Sequence, residues 1–280
     1  MTDLELSIAI EELLVARNPR GMQTARSALE PGYYLRAAEQ LRNVTGKVII
    51  GTGFPVTGTF ETDGPVGAIA LYQVLGSLGA EPLLACGPPL SESLKEDFRV
   101  LLLTARDLDS AAQDARRQLA ELQPAVVVSI ERPGLAADGR YYNMRGEDIS
   151  ERAAIFDPFM AQAVCPTIAI GDGGNEIGMG NIADTIASLD INASVTGCDE
   201  LLVADVSNCG AYGLIALLSV WAGKDLLAVI WPVNILVYLS AWGSVDGVTR
   251  ENTLTEDGLE AEEGLRLIRE LRILTGFLEN

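Results

Sequence analysis

Short apolar runs rich in Val, Ile and Leu alternate along the chain with stretches whose apolar residues recur at helical spacing. The runs at Lys47–Gly51, Pro82–Cys86, Arg99–Leu103, Ala125–Ile130, Thr167–Ile170, Leu201–Val206 and Leu227–Ile230 predict strands. Between them, Val66–Leu78, Ala111–Leu122, Glu151–Val164 and Ala211–Ala222 predict helices. A strand that is apolar on both faces needs cover on both. The alternation therefore predicts an α/β fold: three layers, a mostly parallel sheet with helices on both faces, Rossmann-like. The first 45 residues read as two helices packed on that body, broken at Glu30-Pro31-Gly32. Leu259, Leu267 and Leu271 set a last helix over Gly258–Leu274. One domain spanning residues 1–280 is the economical reading.

One apolar stretch, Leu226–Gly243, is barely long enough to cross about 30 Å of hydrocarbon, and Pro232, Asn234 and Ser240 interrupt it. A buried strand followed by a helix that starts at Pro232 explains it better than a membrane span. An apolar helix used between copies of a homo-oligomer is the functional alternative.

Polar residues gather where the predicted strands end. The first strand runs into Gly51-Thr52-Gly53-Phe54-Pro55, then Glu61-Thr62-Asp63-Gly64-Pro65 ahead of a helix. The fourth runs into Glu131-Arg132-Pro133-Gly134 and on to Tyr141-Tyr142-Asn143-Met144-Arg145. The next two end in Gly171-Asp172-Gly173-Gly174-Asn175-Glu176-Ile177-Gly178-Met179-Gly180 and Ser207-Asn208-Cys209-Gly210. Ligands of open parallel sheets bind beyond the carboxyl ends of the strands, so the clusters predict one site assembled from several loops. Each has a plainer reading: Asp63 as a helix cap, Asn208 as a turn former, Arg132 and Arg145 as surface ion-pair residues. The Gly171–Gly180 segment resists a purely structural reading. Five glycines in ten residues cost conformational entropy, and Asp172, Asn175 and Glu176 are interleaved among them. A helix is expected from Ile182.

Charge and composition narrow the chemistry. The 280 residues carry 39 acidic and 20 basic side chains, a net charge of −19, and no histidine. Nucleic acid and anionic membranes are disfavoured as partners because the summed potential repels phosphate. Without histidine there is no Ser-His-Asp or Cys-His pair and no imidazole-bound zinc, so acid–base work falls to carboxylates. Cys86, Cys165, Cys198 and Cys209 are scattered without a CxxC pair, which argues against structural zinc or a disulfide framework. The acidic start, Met1-Thr2-Asp3-Leu4-Glu5-Leu6, lacks the basic and apolar regions of a signal peptide, so a cytoplasmic location is the default.

The motifs GTGFPV…ETDGPVGA, ERPGLAADGRYYNMRG, GDGGNEIGMGN, VSNCGAYG and SVDGVT, with the N-terminal ARNPRGMQTARSALEPGYYLRAAEQLR, resemble the D-glutamate cyclase family over nearly the whole chain. The resemblance implies a lyase that turns D-glutamate into 5-oxo-D-proline and water with no cofactor. Cyclisation needs a base for the ammonium and an acid for the departing oxygen. Asp63, Asp172 and Glu176 suit those catalytic roles, with Glu61 and Glu131 behind them. Arg132 and Arg145 suit the two carboxylates of the substrate, and backbone N–H groups of Gly173, Gly174, Gly64 and Gly210 suit a developing oxyanion. Thr52, Gly53, Glu61, Asn143, Asn175 and Asn208 complete the expected lining. Asp172 and Glu176 are also oxygen donors suited to magnesium or calcium, although no spacing here is diagnostic of a metal.

Two other readings compete. The Gly-Asp-Gly-Gly-Asn-Glu loop is similar to the magnesium loop of haloacid-dehalogenase-like phosphatases, with Asp107-Leu108-Asp109 in the place of their nucleophile motif. A non-catalytic protein that binds acidic amino acids on the same fold is the second.

Overall fold

The structure, a computed structural model, describes residues 1–189 and 191–279. The chain opens with α1 (Asp3–Leu14), α2 (Met22–Ser27) and α3 (Tyr33–Leu41). A capping box starts α1, with Thr2 and Glu5 each bonding the other's backbone N–H. The N-terminal segment thus holds three helices where two are predicted. Gly21 and Gly32, both at positive φ, restart the chain ahead of α2 and α3.

Strand β1 (Lys47–Thr52) is followed by a small hairpin of β2 (Pro55–Val56) and β3 (Thr59–Phe60), then α4 (Pro65–Ser77). Next come β4 (Glu81–Cys86), α5 (Leu90–Leu94), β5 (Val100–Leu102), α6 (Leu108–Leu122), β6 (Val126–Ile130) and α7 (Asp157–Gln162). Then follow β7 (Thr167–Gly171), a 3-10 turn leading into α8 (Ala183–Ile186), β8 (Glu200–Val203) and α9 (Ser207–Ala222). The chain closes with α10 (Pro232–Ala241), the hairpin β9 (Thr255–Glu256) and β10 (Leu259–Glu260), and α11 (Ala261–Leu274).

Six strands form one parallel sheet in the order β5-β4-β1-β6-β7-β8. The fold is α/β and three-layered, as the apolar pattern predicts. Right-handed crossovers place α4 on one face and α6 and α7 on the other. Helix α9 returns beside α4 and also packs against α3, while α6 packs against α7. Phe156 fills the space over Gly51, where a Cβ would come within 2.3 Å of its ring. From β1 the chain first moves outward through β4 and β5, then crosses to β6 and moves the other way. The switch point between β1 and β6 opens a crevice at their carboxyl ends.

Several expected elements differ. Leu227–Ile230 is not a strand: Leu227–Val229 makes a 3-10 turn held by a hydrogen bond from Ala228 N–H to Asp225 Oδ1. Its apolar side chains, Leu226, Leu227 and Ile230, are buried without any ladder. The helix expected from Pro232 is present, and no helix among the described residues is long and apolar enough to cross a membrane. The stretch Glu151–Val164 is helical only over Asp157–Gln162. The helix expected from Ile182 is one turn long, and that expected from Gly258 starts at Ala261. Ahead of it, Asp257 and Gly258 both take positive φ and turn the β9–β10 hairpin. An Asp-Gly pair is the usual occupant of such a turn.

Candidate active site

The crevice is lined by loops that leave β1, β6 and β7, by the start of α9, and by two segments from the ends of the chain. Glu131 follows β6 at φ 47°, a left-handed conformation that costs a side-chain-bearing residue energy. The turn releases its carboxylate from the strand direction, and Ser207 Oγ donates to it at 2.5 Å. Gly64 stands opposite because a Cβ there would lie 2.8 Å from that of Glu131.

Asp63 precedes α4 but serves mainly α9. Its Oδ1 accepts from the N–H groups of Gly64 (2.8 Å) and Asn208 (2.8 Å), and its Oδ2 accepts from Ser207 N–H (2.9 Å). Asn208 reciprocates: its Oδ1 accepts from Gly64 N–H (2.8 Å) and Gly67 N–H (2.6 Å), closing the start of α4. Each helix is capped by a side chain from the other, which locks Asp63 at two helix N-termini.

Asp172 follows β7 and accepts from Arg20 Nη1 at 2.6 Å, while Arg20 Nη2 pairs with Asp257. Glu176 Oε2 accepts from Gly174 N–H (2.7 Å), and Asn175 Nδ2 donates to the Tyr142 carbonyl (2.9 Å). Asp246, wholly buried, accepts from the N–H groups of Val248, Thr249 and Gly258 and so ties the SVDGVT turn to the β9–β10 hairpin that carries Asp257.

The electrostatics are unbalanced. Seven carboxylates (Glu61, Asp63, Glu131, Asp172, Glu176, Glu256 and Asp257) interact here, and Arg20 is the cation the described residues bring among them. Burial works against the Arg20 charge, but Asp172 and Asp257 outweigh it and hold the guanidinium protonated. Burial pushes Glu131 well above the usual carboxylate range, and Glu176, Asp63 and Glu61 add to the effect. Glu61 is raised by burial and by Asp257 and Asp63. Asp172 is raised by burial against the pull of Arg20. Asp63 reaches about 6 despite its backbone donors, because burial and Asp257 prevail. Glu256, buried and facing Asp63, is pushed to about 8. Such perturbation in a cleft marks a functional site more often than a structural one.

A cavity of about 270 Å³ opens over this cluster, a size suited to a small amino acid. Arg20, Glu61, Glu131, Asn175 and Asp257 line it, with Asn143, Arg145, Arg152 and Arg250 also in its wall. Of the expected lining, Glu61, Asn143, Arg145 and Asn175 reach the wall of this cavity. Asp63, Asp172 and Glu176 do not line the cavity: they form a buried layer behind Glu61 and Glu131, the reverse of the expected order. Oxygens of Asp63, Glu131 and Asp172 lie within 4.8 Å of one another, close enough to share one cation.

Arg132 departs from its expected role. It is 1% exposed, and its guanidinium donates to the carbonyls of Thr52 (3.0 Å), Gly53 (2.8 Å) and Ala154 and stacks near Phe156. It has no reach to the cavity and pins the β1 loop to the β6 loop. Thr52 and Gly53 sit with it beside the site, in a narrow space of about 20 Å³. Asn208 is buried and spent on capping, so it positions Asp63. The N–H groups of Gly64 and Gly174 are likewise committed within the protein. Gly173 contributes space: a Cβ there would lie 2.7 Å from Met144 Sδ and 2.8 Å from Glu176 Oε1. Gly210 approaches Ile170 and the Tyr34 hydroxyl closely, also a packing role.

Sequence reasoning missed Arg20, Glu256 and Asp257, and treated Glu131 as a supporting residue. The usable signals were the Asp257-Gly258 hairpin turn and the Asn18-Pro19-Arg20-Gly21 break between helices. The phosphatase-like reading loses its nucleophile, because Asp107 caps α6, accepting from Ser110 N–H at 2.8 Å, and is exposed. It follows β5, the opposite edge strand, four strand spacings or about 19 Å from β7.

Comparison with known proteins bears on the identity of this arrangement. The model of the family described as "D-glutamate cyclase-like, C-terminal" matches residues 10–272. The human protein named "D-glutamate cyclase, mitochondrial" is 32% identical over 194 residues, covering 60% of this chain and 32% of that protein. The chain thus spans about a third of the length of that relative. Among solved structures, an exopolyphosphatase-related protein from Bacteroides fragilis aligns over 90% of this chain and 62% of its own, with a TM-score of 0.46 and 10% identity.

Proposed function

Because this chain belongs to the D-glutamate cyclase-like family, we propose that it cyclises D-glutamate to 5-oxo-D-proline with loss of water. The observation that carries the proposal is Glu61 and Glu131, two buried and mutually repelling carboxylates on the wall of an amino-acid-sized cavity.

In the reaction the α-ammonium sheds two protons and its nitrogen attacks the carbon of the side-chain carboxyl, Cδ. The N–C bond forms, one C–O bond breaks, and the departing oxygen leaves with two protons as water. The site must therefore move protons from nitrogen to oxygen over a few ångströms. Burial and mutual repulsion raise the pKa values of both carboxylates, so each holds a proton more readily than a solvated carboxylate does. Glu61 and Glu131 are the pair that reaches the substrate, one accepting from the ammonium and the other donating to the oxygen. Asp63, Asp172 and Glu176 maintain the field that keeps the pair's pKa values high.

The arginines at the cavity divide into two kinds. Arg20 is held by Asp172 and Asp257 on the floor. Arg145 donates one N–H to the Val248 carbonyl (2.7 Å) and keeps the rest of its fork for a ligand. It is the residue suited to the α-carboxylate. Local guanidinium charge, not the net −19, decides whether an anion enters.

Incubation with D- and L-glutamate, read by chiral chromatography of 5-oxoproline, tests the reaction and its stereochemistry together. Glu61→Gln and Glu131→Gln should each lower kcat by about 100-fold or more with small changes in KM. Folded protein that makes no 5-oxoproline but binds D-glutamate would replace the enzyme reading with that of a binding protein.

A further inference from the structure

We propose that Asp63, Glu131 and Asp172 hold one divalent cation, Mg²⁺ or Mn²⁺, at the base of the cavity, with Asn175 and Glu176 beside it. Metal binding stands on the geometry alone, and only its catalytic consequence rests on the cyclase reading above.

Three lines of observation converge. The first is spacing. Each of the three carboxylates offers an oxygen, and all three oxygens lie within 4.8 Å of one another. Around an octahedral centre with ligands at 2.1 Å, neighbouring oxygens stand about 3 Å apart and opposite ones about 4.2 Å, so a modest contraction completes the set.

The second is the state of the neighbouring oxygens. Asp172 Oδ2, Glu176 Oε1, Asn175 Oδ1 and Thr52 Oγ1 are all buried and have no hydrogen-bond partner. Asn175 is a neutral amide 2% exposed, so its orphaned oxygen is independent of the acidic cluster and lines the same cavity. A Cβ on Gly173 would lie 2.8 Å from Glu176 Oε1 and 3.1 Å from Asn175 Oδ1, so those two oxygens converge over the glycine. Thr52 Oγ1 and the Glu131 Cβ likewise converge on Gly64. Asp172 Oδ2, Glu176 Oε1 and Asn175 Oδ1 can only accept, and such an excess of buried acceptors calls for a hard cation; oxygen ligands suit magnesium or manganese better than softer metals.

The third is second-sphere support. Asp63 is held by three backbone N–H groups, Glu131 by Ser207 Oγ, and Asp172 by Arg20 Nη1. Metal-ligating carboxylates are oriented in this way, with one set of lone pairs tied back to the protein.

Bound there, the cation would polarise the substrate's side-chain carboxyl and stabilise charge on the departing oxygen.

The test uses chelator-stripped protein titrated with Mn²⁺, followed by the electron paramagnetic resonance of free Mn²⁺ and by calorimetry. One equivalent should bind above a weak surface background, and Mg²⁺ should displace it. Asp172→Asn and Glu131→Gln should weaken that equivalent by about tenfold or more, while the exposed Asp109→Asn leaves it intact. Circular dichroism shows whether each variant is folded, and Mn²⁺ should raise the melting temperature of the wild type but not of Asp172→Asn. No tight equivalent on folded wild type, or the same equivalent on Asp172→Asn, overturns the inference. Mn²⁺ binding without glutamate turnover leaves the metal site standing and removes the cyclase reading. Turnover that persists in EDTA with no bound equivalent does the reverse.

Discussion

Replacing Glu256 with Gln should make the protein more stable, and more so as the pH rises. Glu256 lies in the β9–β10 hairpin, 5% exposed, and its Oε1 accepts from Asn208 Nδ2 at 2.5 Å. Burial and the facing Asp63 lift its pKa from 4.5 to about 8. The folded protein therefore keeps a proton that the unfolded chain releases. Stability from this group is complete below pH 4.5 and is lost as the pH climbs through 8. The span from 4.5 to about 8 is roughly 3.5 pH units. At about 1.4 kcal/mol per unit the full loss is on the order of 5 kcal/mol. Gln keeps an acceptor for Asn208 and carries no charge, so it forgoes this loss. Urea unfolding followed by tryptophan fluorescence, in chelator at pH 5, 7 and 9, measures the effect. The variant should match the wild type at pH 5 and exceed it by several kcal/mol at pH 9. Parallel curves across the range would refute the claim that Glu256 is buried as a neutral acid against Asp63.

Four further substitutions separate support from chemistry. Arg20→Met leaves Asp172 and Asp257 without their cation and should cost about 3–5 kcal/mol at pH 8, with part recovered at pH 5 as Asp172, already raised by burial, takes up a proton; an equal cost at both values would argue against the ion pairs. Arg145→Ala should raise KM for D-glutamate about tenfold or more while leaving the unfolding midpoint within error, and an unchanged KM would remove it from carboxylate binding. Arg132→Met should instead lower the urea midpoint, because the carbonyls of Thr52, Gly53 and Ala154 lose their donor, and a folded variant of normal stability would contradict its structural role. Gly173→Ala drives a methyl toward Met144 Sδ and Glu176 Oε1 and should reduce turnover more than tenfold with a smaller effect on stability, read by the same two assays.

The sheet was legible because its six strands are short apolar runs bounded by turn residues and separated by helical patterns. The candidate site was legible in the same pattern, since polar clusters at the ends of parallel strands gather at one edge of the sheet. The run Leu227–Ile230 failed for the reason such runs do: burial is recorded in the sequence, but a ladder partner is not.

What the sequence by itself determined was a parallel α/β body with histidine-free, carboxylate-rich loops at one edge of its sheet. Local patterning suffices for that, because each element's periodicity declares which faces must be covered. What only the tertiary structure decided was the order of the carboxylates in depth and the identity of the cation among them. Asp63, Asp172 and Glu176 look more prominent in sequence than Glu131, yet Glu131 faces the cavity because the left-handed turn after β6 points it there. Arg132 looks like the anion binder, yet it is consumed by three carbonyls, and Arg20 meets Asp172 from 152 residues away. Charge neutralisation in a buried site is a matter of a few ångströms between segments distant in the chain, and spacing along the sequence carries no record of it.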